Sequence, residues 1–146
     1  MVREMNKPTI TYDETSDTLY VSFIPGTKAT GIELNDHILL RMDKKTKQAV
    51  GLTFFDYSLL TQKTEMGLRS FPLSGLAELS EDTRKVVLRI LQSEPVINFL
   101  NLSAFTPSFD EILPITTLST PKALETATSA ALSAAVAESR AEYKLE

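Results

Sequence analysis

The sequence predicts an α+β fold, with an antiparallel sheet in roughly the first 60 residues and helices after it. Three observations support this class. Apolar and polar residues alternate at strand spacing from residue 9 to residue 55. Residues 80–93 instead carry apolar side chains at the spacing of one helix face. The segment that begins at Pro121 is rich in alanine, the residue that most favours helix.

Five strand-like runs make up the predicted sheet. They are residues 9–12, 18–24, 28–34, 38–42 and 50–54. The first two runs flank a turn rich in aspartate and serine, and an asparagine-aspartate pair separates the next two, so two hairpins are expected. Leu19, Val21 and Phe23 share one face of the second run and should point into the core. We expect a β-meander of about five strands that ends near Asp56.

A covering helix is predicted after the sheet. Ser80 is a favourable N-cap, two acidic residues follow it, and Pro95 prevents continuation beyond about residue 93. Residues 57–67 fit either a short helix or a loop, and residues 96–100 suggest a short strand. Residues 114–121, rich in threonine and proline, suggest a linker. The expected organisation is a sheet domain over residues 1–60, a helical and irregular extension packing on it over 61–115, and a linker with a C-terminal helix over 116–146.

The composition excludes several classes of function. The chain has no cysteine, a net charge of −4 and five dispersed glycines. These features argue against thiolate chemistry, a nucleic-acid partner and a glycine-rich phosphate loop. The first residues lack the apolar run of a signal peptide, and no apolar stretch is long enough to span a bilayer. We therefore expect a cytoplasmic protein without membrane insertion, cofactor or metal.

One alternative is a small hydrolase or nuclease-like enzyme that uses Asp13, Asp17 and His37. Carboxylates in pairs support acid–base chemistry or hold a hard cation, and histidine titrates near neutral pH. However, aspartates in hairpin loops commonly bond the turn backbone, and we expect Asp17 to bond turn amides. The spacing of the acids matches no calcium loop, and whether they bind a cation stays open.

The preferred hypothesis is a non-catalytic protein-interaction module. The C-terminal helix, expected over residues 121–143, carries too few large apolar residues to offset its own ordering unless it packs closely on another surface. Another protein or a second copy of the chain is the expected partner, so an oligomer is one expectation. The predicted partner-binding residues of this helix are Ala127, Ala131, Leu132, Ala135, Val136 and Tyr143.

A family resemblance lies in residues 9–60. The tyrosine-aspartate pair Tyr12-Asp13 and the run Asp17-Thr18-Leu19-Tyr20, with similar strand sequences after them, resemble the bacterial family called domain of unknown function 2283. The resemblance implies an antiparallel sheet closed by a short helix, and it implies no catalytic residues. Because some small relatives are encoded beside toxin-like proteins, the resemblance also suggests an antitoxin-like role. The other form of the interaction hypothesis is an assembly or accessory role.

Overall fold

The N-terminal half of the protein forms a five-stranded antiparallel sheet. The computed structural model describes residues 7–119. The strands are β1 (Thr9–Asp13), β2 (Thr18–Ser22), β3 (Thr30–Glu33), β4 (Ile38–Asp43) and β5 (Gln48–Phe55). Their spatial order is β1-β2-β5-β4-β3, and every neighbouring pair is antiparallel. The predicted strands are therefore confirmed.

The prediction of a simple meander is wrong, because β5 lies between β2 and β4. All six inner residues of β5 are buried, and a strand buried on both faces gains most when it has neighbours on both sides. The chain after β2 continues along β5, with the amides of Phe23 and Ile24 donating to the carbonyl of Val50. Period-two alternation predicts strands and faces, but it does not indicate which strands pair.

The predicted inner face of β2 is confirmed. Leu19, Val21 and Phe23 are buried, whereas Tyr20 on the opposite face is 45% exposed. The apolar side chains of this face join one cluster with residues from the rest of the chain. A short helix, α1 (Tyr57–Leu60), follows β5 and adds Tyr57 to that cluster.

The predicted covering helix forms as α2 (Glu81–Leu91). Ser80 is its N-cap, and the Ser80 Oγ accepts from the amide of Thr83 at 3.2 Å. The helix buries Val87, Ile90 and Leu91 in the same cluster as the sheet. It is joined to α1 by short elements: β6 (Lys63–Thr64), β7 (Gly67–Leu68), β8 (Phe71–Pro72) and a 3₁₀ turn at Ser74–Glu78.

Two predictions for the segment after α2 are corrected. The strand predicted for residues 96–100 begins only at Leu100: Val96–Asn98 is a 3₁₀ turn and β9 spans Leu100–Ser108. The linker predicted for residues 114–121 is largely a strand, β10 (Glu111–Leu118). Threonine is favourable in strands, and Thr116 is completely buried there. The order β8-β10-β9 makes a second, three-stranded antiparallel sheet.

The predicted C-terminal helix lies outside the described residues, as do all six partner-binding residues predicted on it. Within residues 7–119, no helix combines the length and the apolar character needed to cross a membrane.

Candidate functional site

One end of the five-stranded sheet is held together by the carboxylate of Asp17. The Tyr12 hydroxyl donates to Asp17 Oδ1 at 2.6 Å, and the Ser58 hydroxyl donates to Asp17 Oδ2 at 2.7 Å. The Ser58 amide also donates to both carboxylate oxygens, at 3.1 and 3.2 Å. The first hairpin is thereby tied to the start of α1, 41 residues away in sequence.

The backbone of Asp17 contributes to the same connection. Its φ angle of 55° is left-handed, a conformation that aspartate tolerates better than most residues, and its carbonyl accepts from the Tyr57 amide at 2.9 Å. The prediction that Asp17 bonds turn amides is wrong. That contact is made by Asp13, whose carboxylate accepts from the Thr15 amide, so Asp17 is free to reach the helix.

A second polar pair lies at the same end of the sheet. His37 Nδ1 is 3.1 Å from Asp56 Oδ2, without the geometry of a hydrogen bond. Both side chains are about half exposed, at 42% and 51%, so the contact is that of a solvated surface pair. Asp56, with a φ angle of 57°, stands immediately before α1.

The three residues of the enzyme alternative therefore reach one end of the sheet without forming one constellation. His37 contacts Asp56, and the Asp13 carboxylate accepts hydrogen bonds within its own turn. The Asp17 carboxylate instead accepts from Tyr12 and Ser58. Among the described residues, no group of three or more histidine, cysteine or acidic side chains is arranged to hold a metal ion. Burial, followed by the hydrogen bond to Asp17, raises the pKa of Tyr12 above its ordinary value, so its phenol stays protonated near neutral pH and cannot accept a proton there.

A shallow depression beside His37 offers little room for a ligand. Its volume is about 210 Å³, and its lining consists of Glu33, Asn35, Asp36, Leu39 and Phe55. Small-molecule sites usually enclose about 300–1,000 Å³ and surround most of the ligand. Part of this lining has a structural use, since Asn35 Oδ1 accepts from the backbone amides of His37 and Ile38.

The second candidate surface is the far half of the β9–β10 ribbon, residues 103–113, called the arm below. Every residue of the arm is exposed. Four of its side chains are large and apolar: Phe105 at 51%, Phe109 at 102%, Ile112 at 69% and Leu113 at 38% exposure. Phe105 and Leu113 face each other across the two strands, and Phe109 lies at the tip. A two-stranded ribbon with this much exposed apolar surface is typical of an interaction site.

The two long edges of the ribbon differ. The edge of β10 is covered near its base, where β8 pairs with Ile115 and Thr116 and the Leu73 amide donates to the Pro114 carbonyl at 3.0 Å. Pro114 also has no amide hydrogen to offer. The edge of β9 pairs with no strand among the described residues.

The fold and its two surfaces define a small antiparallel β protein that presents a projecting apolar ribbon. Residues 9–58 match the model of a family described as Protein of unknown function (DUF2283), which confirms the resemblance seen in the sequence over that segment. The match covers β1 to β5 and ends at Ser58, the residue that Asp17 holds. No curated protein and no solved structure matches the chain.

Sequence reasoning missed Ser58 and the arm. A serine two residues into a four-residue helix carries no distinctive local pattern, and only the fold brings it to Asp17. The arm had a usable signal. Residues 95–109 contain no charged side chain but several large apolar ones, which in a segment without clear periodicity indicates either burial or a contact surface.

Proposed function

We propose that this protein is a non-catalytic protein-interaction module and that the arm is its principal contact surface. The observation that carries the proposal is the exposure of four large apolar side chains on one short ribbon, with Phe109 fully exposed at the tip. Isolated exposed apolar residues are ordinary on protein surfaces, whereas a concentrated group of them favours association.

The energetics of the arm support this proposal. Complete burial of a phenylalanine, leucine or isoleucine side chain contributes about 1.5–3 kcal/mol. Within the described chain the arm leaves much of that contribution unused, since Phe105 and Ile112 remain more than half exposed. A partner that covers the arm recovers it. Aromatic residues at the centre of such contacts commonly dominate the binding free energy.

The polar end of the sheet supports a structural role better than a catalytic one. Asp17 accepts hydrogen bonds from Tyr12 and Ser58 and thereby connects the first hairpin to α1. An antitoxin-like role and an assembly or accessory role are the two finer forms of the proposal. The predicted tail surface around Leu132 and Val136 is proposed as an additional contact.

The test is recovery of the tagged full-length protein from its native host in mild salt, followed by identification of what accompanies it. The arm variant carries Phe105→Ser and Phe109→Ser. The control carries Leu59→Ser and Met66→Ser, which remove two exposed apolar side chains, at 54% and 95% exposure, that do not belong to the arm. We expect the wild type and the control to retain a companion, either another protein or untagged copies of the chain, and the arm variant to lose it.

The proposal fails if nothing accompanies the wild type, including a second copy. It also fails if the arm variant retains every companion while its melting curve shows that it is folded.

A further inference from the structure

We infer that the end of the first sheet remote from His37 is a cationic surface that binds the phosphate backbone of a double-stranded nucleic acid. The surface is separate from the arm and adds a second ligand to the proposed function. Three features point to such a ligand: the separation of positive from negative side chains, the conformation of Lys47, and the kinds of side chain that this end exposes.

The topology separates the charged side chains of the first sheet. At one end of the sheet β1, β3 and β5 begin and β2 and β4 end. This end, called the lysine end below, carries five exposed lysines on three separate segments: Lys7, Lys28, Lys44, Lys45 and Lys47. The opposite end carries six acids: Asp13, Glu14, Asp17, Glu33, Asp36 and Asp56.

The two ends are far enough apart to act separately. The eight residues of β5 span roughly 25 Å, at about 3.3 Å per residue. At physiological ionic strength, interactions between exposed charges are largely screened beyond about 8 Å. The net charge of −4, which argues against a nucleic-acid partner for the chain as a whole, therefore averages two different surfaces and does not describe the lysine end.

The lysines are available to a ligand. Among the described residues, none of the five forms an ion pair. Asp43, the acid at this end, uses its carboxylate in the turn, where Oδ1 accepts from the Lys45 amide at 2.9 Å. The second sheet approaches this end through Phe99, whose ring centroid lies 5.8 Å from that of Phe23, and residues 95–109 bring no charge.

The turn between β4 and β5 holds a lysine where the backbone favours other residues. Lys47 has a φ angle of 59°, in the left-handed region that glycine and asparagine adopt at lower cost. Its amide donates to the Asp43 carbonyl at 2.7 Å. Residues in such conformations are often found at binding sites. The local backbone does not account for a lysine at this position, whereas a negatively charged ligand does.

The side chains of the lysine end suit a phosphate backbone better than a protein surface. Lysine is depleted at protein–protein interfaces, whose centres are apolar and aromatic, whereas lysines and hydroxyls such as that of Thr46 are common phosphate contacts. Single strands stack their bases on aromatic side chains, and the described residues of this end expose none. A double-stranded backbone requires only the positive charge.

The width of the lysine end also suits a duplex. Lys7 and Lys28 precede the two edge strands, β1 and β3, and the lysine turn lies between them. Five strands at a spacing of about 4.8 Å extend over roughly 20 Å. A duplex carries one negative charge per roughly 1.7 Å of its axis, so a length of this size offers phosphates to each lysine.

The experiment is fluorescence anisotropy with the full-length chain and a labelled DNA duplex of about 20 base pairs, in about 50 to 200 mM salt. We expect binding whose affinity falls about a hundredfold over this range, the change expected for roughly four phosphate contacts. Duplexes of unrelated sequence should bind alike, because phosphate contacts carry no sequence information.

The lysine variant carries Lys44→Gln, Lys45→Gln and Lys47→Gln. It should bind the duplex about tenfold or more weakly at low salt and show a smaller salt dependence, because three phosphate contacts are lost. Its melting curve should match that of the wild type, since all three side chains are exposed.

The matched control removes the same number of charges from exposed positions on other elements, through Lys63→Gln, Lys85→Gln and Arg89→Gln. Its affinity for the duplex should stay within about twofold of the wild type. A further variant, Lys7→Gln with Lys28→Gln, should also bind more weakly, because the ligand contacts the whole end and not the turn alone.

Three outcomes would overturn the inference. A wild type that does not bind the duplex at low salt overturns it and leaves the interaction function of the arm standing, since recovery of a companion tests that function separately. Binding that is independent of salt, or that the control loses as fully as the lysine variant, overturns the assignment to the lysine end. Poly-glutamate or anionic lipid vesicles that bind as tightly as the duplex overturn nucleic acid as the ligand.

Discussion

The edge strands of the two sheets differ in length and in charge. In the first sheet the edge strands are short: β1 has five residues and β3 has four, and each ends in a carboxylate, Asp13 or Glu33. The 3₁₀ turn beside β3 adds cover, since the Gly75 amide donates to the Leu34 carbonyl at 2.8 Å. A Cβ at Gly75 would overlap the carbonyl oxygen of Glu33, so the close approach requires glycine there.

In the second sheet the edge strand β9 is nine residues long and uncharged, and no strand covers it among the described residues. Its register with β10 shifts between Phe105 and Ser108. The first sheet directs its large apolar side chains into one core, whereas the arm leaves Phe105, Phe109 and Ile112 exposed. The strands of the first sheet therefore stabilise the fold, whereas the arm leaves apolar surface available for contact.

The largest expected effect is the loss of stability when a leucine of the first sheet is changed to alanine. The same substitution in the arm serves as the comparison. Leu40 is completely buried in the first sheet, so Leu40→Ala should lower the free energy of unfolding by roughly 3 kcal/mol through lost burial and a residual cavity. Leu113→Ala in the arm should change it by less than about 0.5 kcal/mol, as substitutions at exposed positions usually do. Denaturant unfolding at low protein concentration measures both. Equal costs would mean that the arm belongs to the cooperative core.

The second prediction concerns the connection between the first hairpin and α1. Asp17→Asn removes a charged acceptor from three donor groups and should cost about 2 kcal/mol, within the range of hydrogen bonds to charged groups. The matched control is Asp13→Asn in the same turn, whose partners, Thr15 and Ser16, are exposed. Its cost should stay below about 1 kcal/mol. Identical melting curves for the two variants would contradict the structural role assigned to Asp17.

The third prediction is a loss of stability at alkaline pH. Burial raises the pKa of Tyr57, and burial with the bond to Asp17 raises that of Tyr12, so the folded chain keeps both phenol protons after the unfolded chain has begun to release them. Stability should therefore be insensitive to these groups below about pH 10, the value for an unfolded tyrosine, and should fall above it.

Unfolding curves recorded from neutral to alkaline pH test whether stability falls in this direction. Tyr57→Phe lacks one of the two phenols and should show a shallower decline than the wild type. Parallel curves for the two proteins would show that Tyr57 is not the source of the dependence.

The smallest expected effect belongs to His37. Its contact with Asp56 joins two side chains that are about half exposed, and such pairs contribute little. His37→Ala should change the free energy of unfolding by less than about 0.5 kcal/mol and leave recovery of a partner unaltered. A variant that folds normally but loses an activity of the wild type by about a hundredfold would instead favour the enzyme alternative.

The sequence predicted the parts of the molecule that depend on local pattern. Alternation identified the strands and the buried face of Leu19 and Val21, and the Ser80 cap located α2, because each is determined by neighbouring residues. The position of β5 between β2 and β4 depends on contacts between distant residues and leaves no local signal.

In the candidate sites, too, contacts between neighbouring residues were predictable and contacts between distant residues were not. Asp13 behaves as a turn aspartate because its partners are two and three residues away. Asp17 reaches Ser58 across the fold, so its role could not be derived from the turn alone. Threonines near Pro114 resembled a linker because composition does not distinguish a threonine-rich strand from an unstructured connection.

The central claim, that the arm is a contact surface, is tested most directly by amide hydrogen exchange resolved by residue, with the wild type free and bound to the companion recovered with it. The amides of the arm, residues 103–113, should exchange more slowly in the bound form, because the companion covers them. Buried amides of β4, such as that of Leu40, should not change between the two forms. Arm amides that exchange equally fast in both forms would contradict the claim.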